Sequence, residues 1–282
     1  MRVAIASGKG GTGKTTLAVN LALLAAQDSP VLLMDLDVEE PNGGIFIQGE
    51  LQSETQVYRQ VPLWNQEACT LCGKCTVWCA YNALLRLGDT ILVMPNMCHS
   101  CYACSELCPV QALPMQPESL GRIRHSQIGK LHFVESRLDV GLEQASPLIA
   151  QSLDFAKQHF SELPLQILDS PPGTACAMVS AVKTADYVVL ISEPTPFGVH
   201  DLRLAVETVR QLGLPFGVVV NRDGIGNDEI YRYLEEEKIE LLAKIPHQRQ
   251  IAEIYSEGGI LYSKIPELKN ALEAVLRRIR RP

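Results

Sequence analysis

Two groups of residues in this 282-residue chain have types and spacings suited to chemistry. The first lies near the N-terminus: Gly8, Lys9, Gly10, Gly11, Thr12, Gly13, Lys14, Thr15 and Thr16 contain the pattern G-x-x-x-x-G-K-[ST]. Glycines let successive backbone N–H groups turn toward phosphate oxygens, and a following helix N-terminus adds partial positive charge. Lys14 is then placed to reach the β- and γ-phosphates of ATP, and the Thr15 hydroxyl to ligate Mg²⁺. The alternative is a glycine-rich turn with no ligand. The second group is cysteine. Of nine, eight lie between Cys69 and Cys108, and only Cys176 lies outside. Cys69, Cys72, Cys75 and Cys79 recur 29 residues later, with every spacing kept, as Cys98, Cys101, Cys104 and Cys108. The tails match as well, Asn82-Ala-Leu after the first run and Gln111-Ala-Leu after the second, so a duplicated half-domain is the plain reading.

The run C-x₂-C-x₂-C-x₃-C is that of bacterial ferredoxins, in which the fourth cysteine ligates the other cluster. Three thiolates wrap one 4Fe–4S cube while the fourth departs on a short helix. Cluster one then takes Cys69, Cys72, Cys75 and Cys108, and cluster two takes Cys98, Cys101, Cys104 and Cys79. The first run has Ala80 where the second keeps Pro109. Structural zinc is the competing reading, although its sites usually pair two C-x₂-C units across a longer spacer. His99, between two of the cysteines, reads as a surface or cluster-shell residue.

These residues need elements to hold them. Short apolar runs at Val3–Ala6, Val31–Met34, Leu165–Leu168, Tyr187–Ile191, Phe216–Val220 and Leu241–Ile245 alternate with helical patterns such as Thr16–Gln27. That alternation predicts an α/β fold, a mostly parallel sheet covered by helices on both faces. Residues 62–117 break the pattern, being rich in Cys, Pro and short turns, and read as an insertion folded around something other than an apolar core. The expected organisation is a P-loop domain at 1–61 and 118–282 with a cysteine-rich insert at 62–117. Several strand candidates end in polar residues: Asp35 and Asp37 after the second, Asp169 before Ser-Pro-Pro-Gly173, and Asn221 after Val220. Each could be a solvated strand end or a turn former instead.

Lys9 with Gly10, Gly11, Gly13, Lys14, Thr15 and Thr16 resembles the deviant Walker A loop of the MinD/ParA/nitrogenase-iron-protein group of P-loop ATPases, and the acid-bearing strand ends carry the resemblance further. It implies that Lys9 crosses a dimer interface to the partner's nucleotide, that Asp37 positions the attacking water, and that Asp35 belongs to the magnesium shell. Asp169 would hold Mg²⁺ through water, Gly173 would hinge a γ-phosphate-sensing switch, and Asn221 would contact adenine. Residues 62–117 resemble a 2×4Fe–4S ferredoxin domain. The order of parts resembles MinD-superfamily ATPases with such an insert over essentially the whole chain. The function implied is an ATP-gated redox protein, with the segment near 170–176 coupling nucleotide state to the cluster domain. The alternatives are an iron–sulfur cluster carrier and a positioning ATPase with structural or redox-sensing clusters. The expected partners are a second copy or a paralogue across the nucleotide, and a redox protein the sequence does not name.

Composition narrows the classes. With 25 Lys and Arg against 32 Asp and Glu, the net charge of −7 disfavours sequence-independent nucleic-acid binding. The longest apolar runs are strand-sized, and the N-terminal apolar segment is too short for a signal-peptide core, so a cytoplasmic location is expected. Cys176 follows the Asp169 segment, where the nitrogenase iron protein carries a cluster-ligating cysteine. One spare cysteine per chain favours an inert helix residue. The last stretch puts Leu268, Ala271, Leu272, Val275, Leu276 and Ile279 on one helix face. That face is expected to pack on the sheet, with membrane contact as the alternative.

Overall fold

A computed structural model describes residues 1–280. Its centre is a parallel sheet built from the predicted apolar runs: β1 (Arg2–Ala6), β2 (Val31–Asp35), β8 (Leu165–Asp169), β9 (Tyr187–Ser192), β10 (Phe216–Asp223) and β11 (Leu241–Pro246). Three further strands, β3 (Glu50–Pro62), β6 (Met115–Ile128) and β7 (Leu131–Leu138), extend one edge. The order across nine strands is β11-β10-β9-β1-β8-β2-β7-β6-β3; β7 pairs parallel with β2, whereas β6 pairs antiparallel with β7 and β3 antiparallel with β6.

Alternating residues of the parallel strands enter two separate cores. Ala4, Met34, Leu168, Leu190 and Val220 face α4 (Ala145–Phe160), α5 (Cys176–Val182), α6 (Pro196–Gln211) and α7 (Glu229–Glu236). Val3, Leu33, Ile167, Val189 and Val219 face α1 (Lys14–Ala25), α8 (Arg249–Ser256) and α9 (Pro266–Ile279). Both faces of the inner strands β1, β2, β8 and β9 are therefore buried, which is why they read as nearly continuous apolar runs, whereas the edge strand β11 is only partly buried. The apolar face of α9, from Leu268 to Ile279, lies within the second core and is not a free membrane face. Among the described residues, no helix is long and apolar enough to cross a membrane.

The antiparallel edge carries the cysteine-rich segment away from the sheet. Gly121 of β6 pairs with Leu138, the last residue of β7, yet β6 begins six residues earlier at Met115, opposite Pro62 of β3. At about 3.4 Å per residue the strand pair overhangs β7 by roughly 20 Å. β7 runs parallel to β2, so this overhang lies at the end where β2 finishes in Asp35. Between the two overhanging strands the chain forms α2 (Lys74–Trp78), the hairpin β4 (Leu84–Leu87) with β5 (Thr90–Val93), and α3 (Ala103–Glu106).

Candidate nucleotide and cysteine sites

The glycine-rich loop leaves β1 and enters α1 through Gly13, whose φ of +99° is one a side chain would resist. Gly8 has no room for a side chain either: an added Cβ would lie 2.0 Å from the Asp201 carbonyl oxygen, because α6 presses on the loop. Asn221 donates from Nδ2 to the Thr12 carbonyl at 2.7 Å, and the Gly173 amide donates to the Ser7 carbonyl at 3.1 Å. The ends of β10 and β8 are thus fastened to the loop.

Lys14 is buried among Asp169, Asp37 and Asp35. Burial pulls its ammonium pKa down, against the raising effect of the three acids. Asp169 is fully enclosed, and burial followed by the Asp35 charge holds its carboxyl well above the usual range. The Thr15 hydroxyl lies close enough to ease that charge, but neither Asp169 oxygen has a partner at hydrogen-bond geometry, and Thr12 Oγ1 is equally orphaned. Three enclosed oxygens without partners, beside a buried lysine and a glycine cradle, suit a phosphate-bound divalent cation. Asp37 is half-buried, and burial raises its pKa while Lys14 lowers it.

Two residues expected at this centre are engaged otherwise. Asp35 accepts backbone N–H bonds from Asp37 at 3.1 Å, Asn42 at 3.0 Å and Gly43 at 2.8 Å. Burial raises its pKa to about 7. Its carboxyl anchors the chain leaving β2, so in this conformation its oxygens are spent before any cation shell. Lys9, expected to reach a partner, instead donates to Glu193 Oε1 of its own chain at 2.6 Å. Glu193 also accepts from Arg222 at 2.8 Å, and Arg222 donates to the Gly11 carbonyl at 3.2 Å. Glu193 and Arg222 were not singled out from the sequence. An acid following a fully buried strand, the signal that marked Asp35, Asp37 and Asp169, marks Glu193 after β9 equally well.

The eight clustered cysteines fall into two hollows. Cys69, Cys72, Cys75 and Cys108 line one with Trp64, Ile91, Ala112 and Leu113. Cys79, Cys98, Cys101 and Cys104 line another with Pro62, Leu84 and Met115. Each holds three cysteines of one run and the fourth of the other. The backbone repeats with the sequence: Leu71 and Ser100, Gly73 and Tyr102, and Asn82 and Gln111 all have positive φ, pairwise 29 residues apart. These left-handed turns aim N–H groups at sulfur, from Leu71 to Cys69 at 3.4 Å and Ser100 to Cys98 at 3.5 Å. Ala83 donates to Cys79 at 3.2 Å and Ala112 to Cys108 at 3.3 Å. Burial, then the neighbouring thiols, raises the Cys104 pKa to about 11. Crowded thiols with inward N–H donors suit an electron-rich sulfur group carrying its own metal charge. Among the described residues, no three His, Cys, Asp or Glu side chains converge on a single-ion site. Cys176 is exposed at the start of α5, apart from both hollows.

Among the described residues, the hydrogen bonds between the cysteine-rich segment and the rest of the chain involve β3, β6 and the residue before α4, and none involves residues 170–176, where coupling was expected. Within the sheet itself, Leu138 at the end of β7 donates to the Val38 carbonyl at 2.9 Å, next to Asp37, and Arg137 donates to the Pro41 carbonyl at 3.4 Å. Gln144, preceding α4, donates to the Asn96 carbonyl at 3.0 Å. The physical reason is strand order: β2 neighbours β7, whereas β8 lies one strand further from the insert.

The CbiA family, described as the CobQ/CobB/MinD/ParA nucleotide binding domain, matches residues 3–261. The uncharacterized protein MJ0579 of Methanocaldococcus jannaschii is 30% identical over 278 residues, spanning 98% of this chain and 96% of its own length. The iron-sulfur cluster carrier protein of Pyrococcus horikoshii is 20% identical over 292 residues, covering 96% of this chain and 83% of that one. Among solved structures, the septum site-determining protein MinD of Pyrococcus horikoshii, complexed with Mg-ADP, superposes with a TM-score of 0.61 at 17% identity. That match covers 99% of this chain and 96% of the other and is a likeness of fold.

Proposed function

The chain belongs to the CobQ/CobB/MinD/ParA nucleotide-binding family of P-loop ATPases, and on that premise we propose that it couples ATP-driven dimerisation to electron transfer through two 4Fe–4S clusters held by its insert. One observation carries the reading: two four-cysteine hollows lie on the β3–β6 strand pair that overhangs the sheet end bearing Asp35 and the glycine-rich loop, and β6 pairs with β7, whose Leu138 donates to the carbonyl of Val38 beside Asp37. Nucleotide chemistry and the cysteines thus share one end of the sheet and are linked through β6 and β7.

In this proposal Gly8, Gly10, Gly11, Thr12, Gly13 and Thr16 enclose the phosphates, Lys14 neutralises the β- and γ-oxygens, and Asn221 borders adenine. Thr15 and Asp169 hold Mg²⁺, whose charge relieves the burial of Asp169. Asp37 orients the attacking water. Lys9 leaves Glu193 and reaches across to the second protomer's nucleotide, so dimer formation begins with the loss of an ion pair visible in the single chain. The second protomer is another copy of this chain or a paralogue. Cys69, Cys72, Cys75 and Cys108 hold one cluster and Cys79, Cys98, Cys101 and Cys104 the other, in an insert spanning about 62–117. The clusters supply one-electron storage and transfer.

The similarity to an iron-sulfur cluster carrier protein favours a second reading, in which the insert delivers a cluster. Against it, Cys98 and Cys104 are buried, and two backbone N–H groups donate to sulfur in each hollow. A positioning role resting on a membrane-bound tail is disfavoured by the covered face of α9.

Iron and acid-labile sulfide counting after oxygen-free purification tests the proposal. Two clusters per chain are expected, with Cys101→Ser losing one and Cys176→Ser losing none. Zinc with no sulfide, or equal loss in both variants, would refute the assignment.

A further inference from the structure

The two cysteine cradles are built alike, so any difference between the groups they hold must come from outside the repeat. The first hollow is closed by Trp64, Ile91 and Leu113, and its neighbouring cations Lys74 and Arg86 are exposed. Their charge is screened by water. The second hollow sits on the strand pair itself, with Pro62 and Met115 in its wall and Ser100 Oγ donating to the Gln60 carbonyl at 2.6 Å. Beside Gln60 stands Arg59, with only 2% of its side chain exposed.

The guanidinium of Arg59 makes two hydrogen bonds. Nε donates to Glu118 at 2.8 Å, and Nη1 donates to Gln144 Oε1 at 3.0 Å. Nη2 lies 2.6 Å from the same Glu118 oxygen but off the hydrogen-bond direction, so its buried N–H groups are left without an acceptor. Glu118 is one-third exposed, so solvent weakens its countercharge, while the cation itself is dry.

Resting on the cluster reading above, we propose that Arg59 makes the group held by Cys79, Cys98, Cys101 and Cys104 the one of higher reduction potential, so that an electron entering the insert comes to rest on the side facing the ATPase fold. Reduction adds one negative charge to a site already carrying thiolates. A buried cation beside it, offset only by the partly exposed Glu118, favours the reduced form, whereas the exposed lysine and arginine at the other hollow act through water. Gln144 bonds both to Arg59 and to the Asn96 carbonyl, two residues before Cys98, and so fixes the cation relative to that cysteine.

The test is an EPR-monitored redox titration of the holoprotein, purified without oxygen, as wild type, Arg59→Lys, Arg59→Gln and Arg59→Gln/Glu118→Gln. Two separate one-electron steps are expected in the wild type. Arg59→Gln should lower the upper step by at least tenfold in its reduction constant, about 59 mV for one electron, while the lower step moves less than threefold. Arg59→Lys should keep most of the upper value. The double variant should stay low, which separates loss of the cation from an unpaired Glu118. Equal movement of both steps, or none, overturns the proposal. If Arg59→Gln fails to fold or to hold iron, Glu118→Gln decides, since freeing the cation must raise the upper step and an unchanged step refutes the idea. A wild-type chain holding no iron sinks the cluster reading itself, a different failure from two clusters indifferent to Arg59.

Discussion

Replacing Asp169 with Asn should make the nucleotide-free protein more stable while abolishing hydrolysis. Both carboxylate oxygens of Asp169 are enclosed and lack hydrogen-bond partners, and Asp35 repels the same charge. A buried polar group without a partner costs about 1–3 kcal/mol, and a charged one more. Asn keeps the polar cost but sheds the charge, so a gain of about 1–2 kcal/mol is expected near pH 7.5. For a chain of this size each kcal/mol moves Tm by roughly 2–4 °C. The pH dependence has a definite sign. A carboxyl whose folded pKa is raised binds its proton more tightly when folded, so its stabilising contribution is complete below the unfolded pKa and is lost as pH rises through the folded one. The advantage of Asn over Asp should therefore shrink toward zero as pH falls to about 4. MgATP should reverse the ranking, since a ligand at 100-fold over Kd stabilises by about 2.7 kcal/mol and the variant lacks the cation site. Thermal melts of both proteins at pH 4.5 and 7.5, with and without MgATP, together with phosphate release, make the check. A variant less stable than wild type at pH 7.5 without nucleotide, or one that still hydrolyses ATP, would refute the reasoning.

Gly8→Ala should cost about 1–3 kcal/mol in urea unfolding and weaken binding of a fluorescent ATP analogue, because its Cβ meets the Asp201 carbonyl, which is backbone and cannot swing away. Leu272→Ala, in the middle of the buried face of α9, should destabilise by about 2–5 kcal/mol, as measured by the same unfolding curves. The wild-type protein should not sediment with anionic vesicles in either nucleotide state, and ATP-dependent pelleting would overturn the assignment of that face to the core.

The parallel half of the fold was legible because its inner strands are buried on both faces and carry few polar interruptions, as in Val188–Ile191. The edge strands were not. β3 reads Glu-Leu-Gln-Ser-Glu-Thr-Gln, exposed along seven residues, and β6 is largely polar, so neither shows an apolar run or a clean alternation. Their pairing is set by each other and by β7, a long-range partnership that local pattern does not record. At the nucleotide end the spacing named the glycine loop, Lys14 and Asp169, whose environment is encoded by strand ends. It could not foresee that Asp35 would spend its oxygens on the amides of residues 37, 42 and 43, or that Lys9 would find Glu193. Those are meetings of loops far apart in sequence. The grouping of cysteines across the two halves was readable because one spacing rule governs both. Arg59 was not, since nothing near it in sequence announces a buried cation.

The most direct measurement is the rate at which the chemically reduced, iron-loaded protein passes electrons to a soluble one-electron acceptor, followed by stopped-flow absorbance with no nucleotide, with MgADP and with MgATP. ATP-dependent dimerisation that moves the Asp37–Val38 segment, and with it the strand pair, should change that rate by tenfold or more between MgADP and MgATP, and Lys9→Ala should abolish the difference. Equal rates in all three states, with both clusters present and ATP bound, would contradict ATP-gated electron transfer and leave the insert as a passenger on the ATPase.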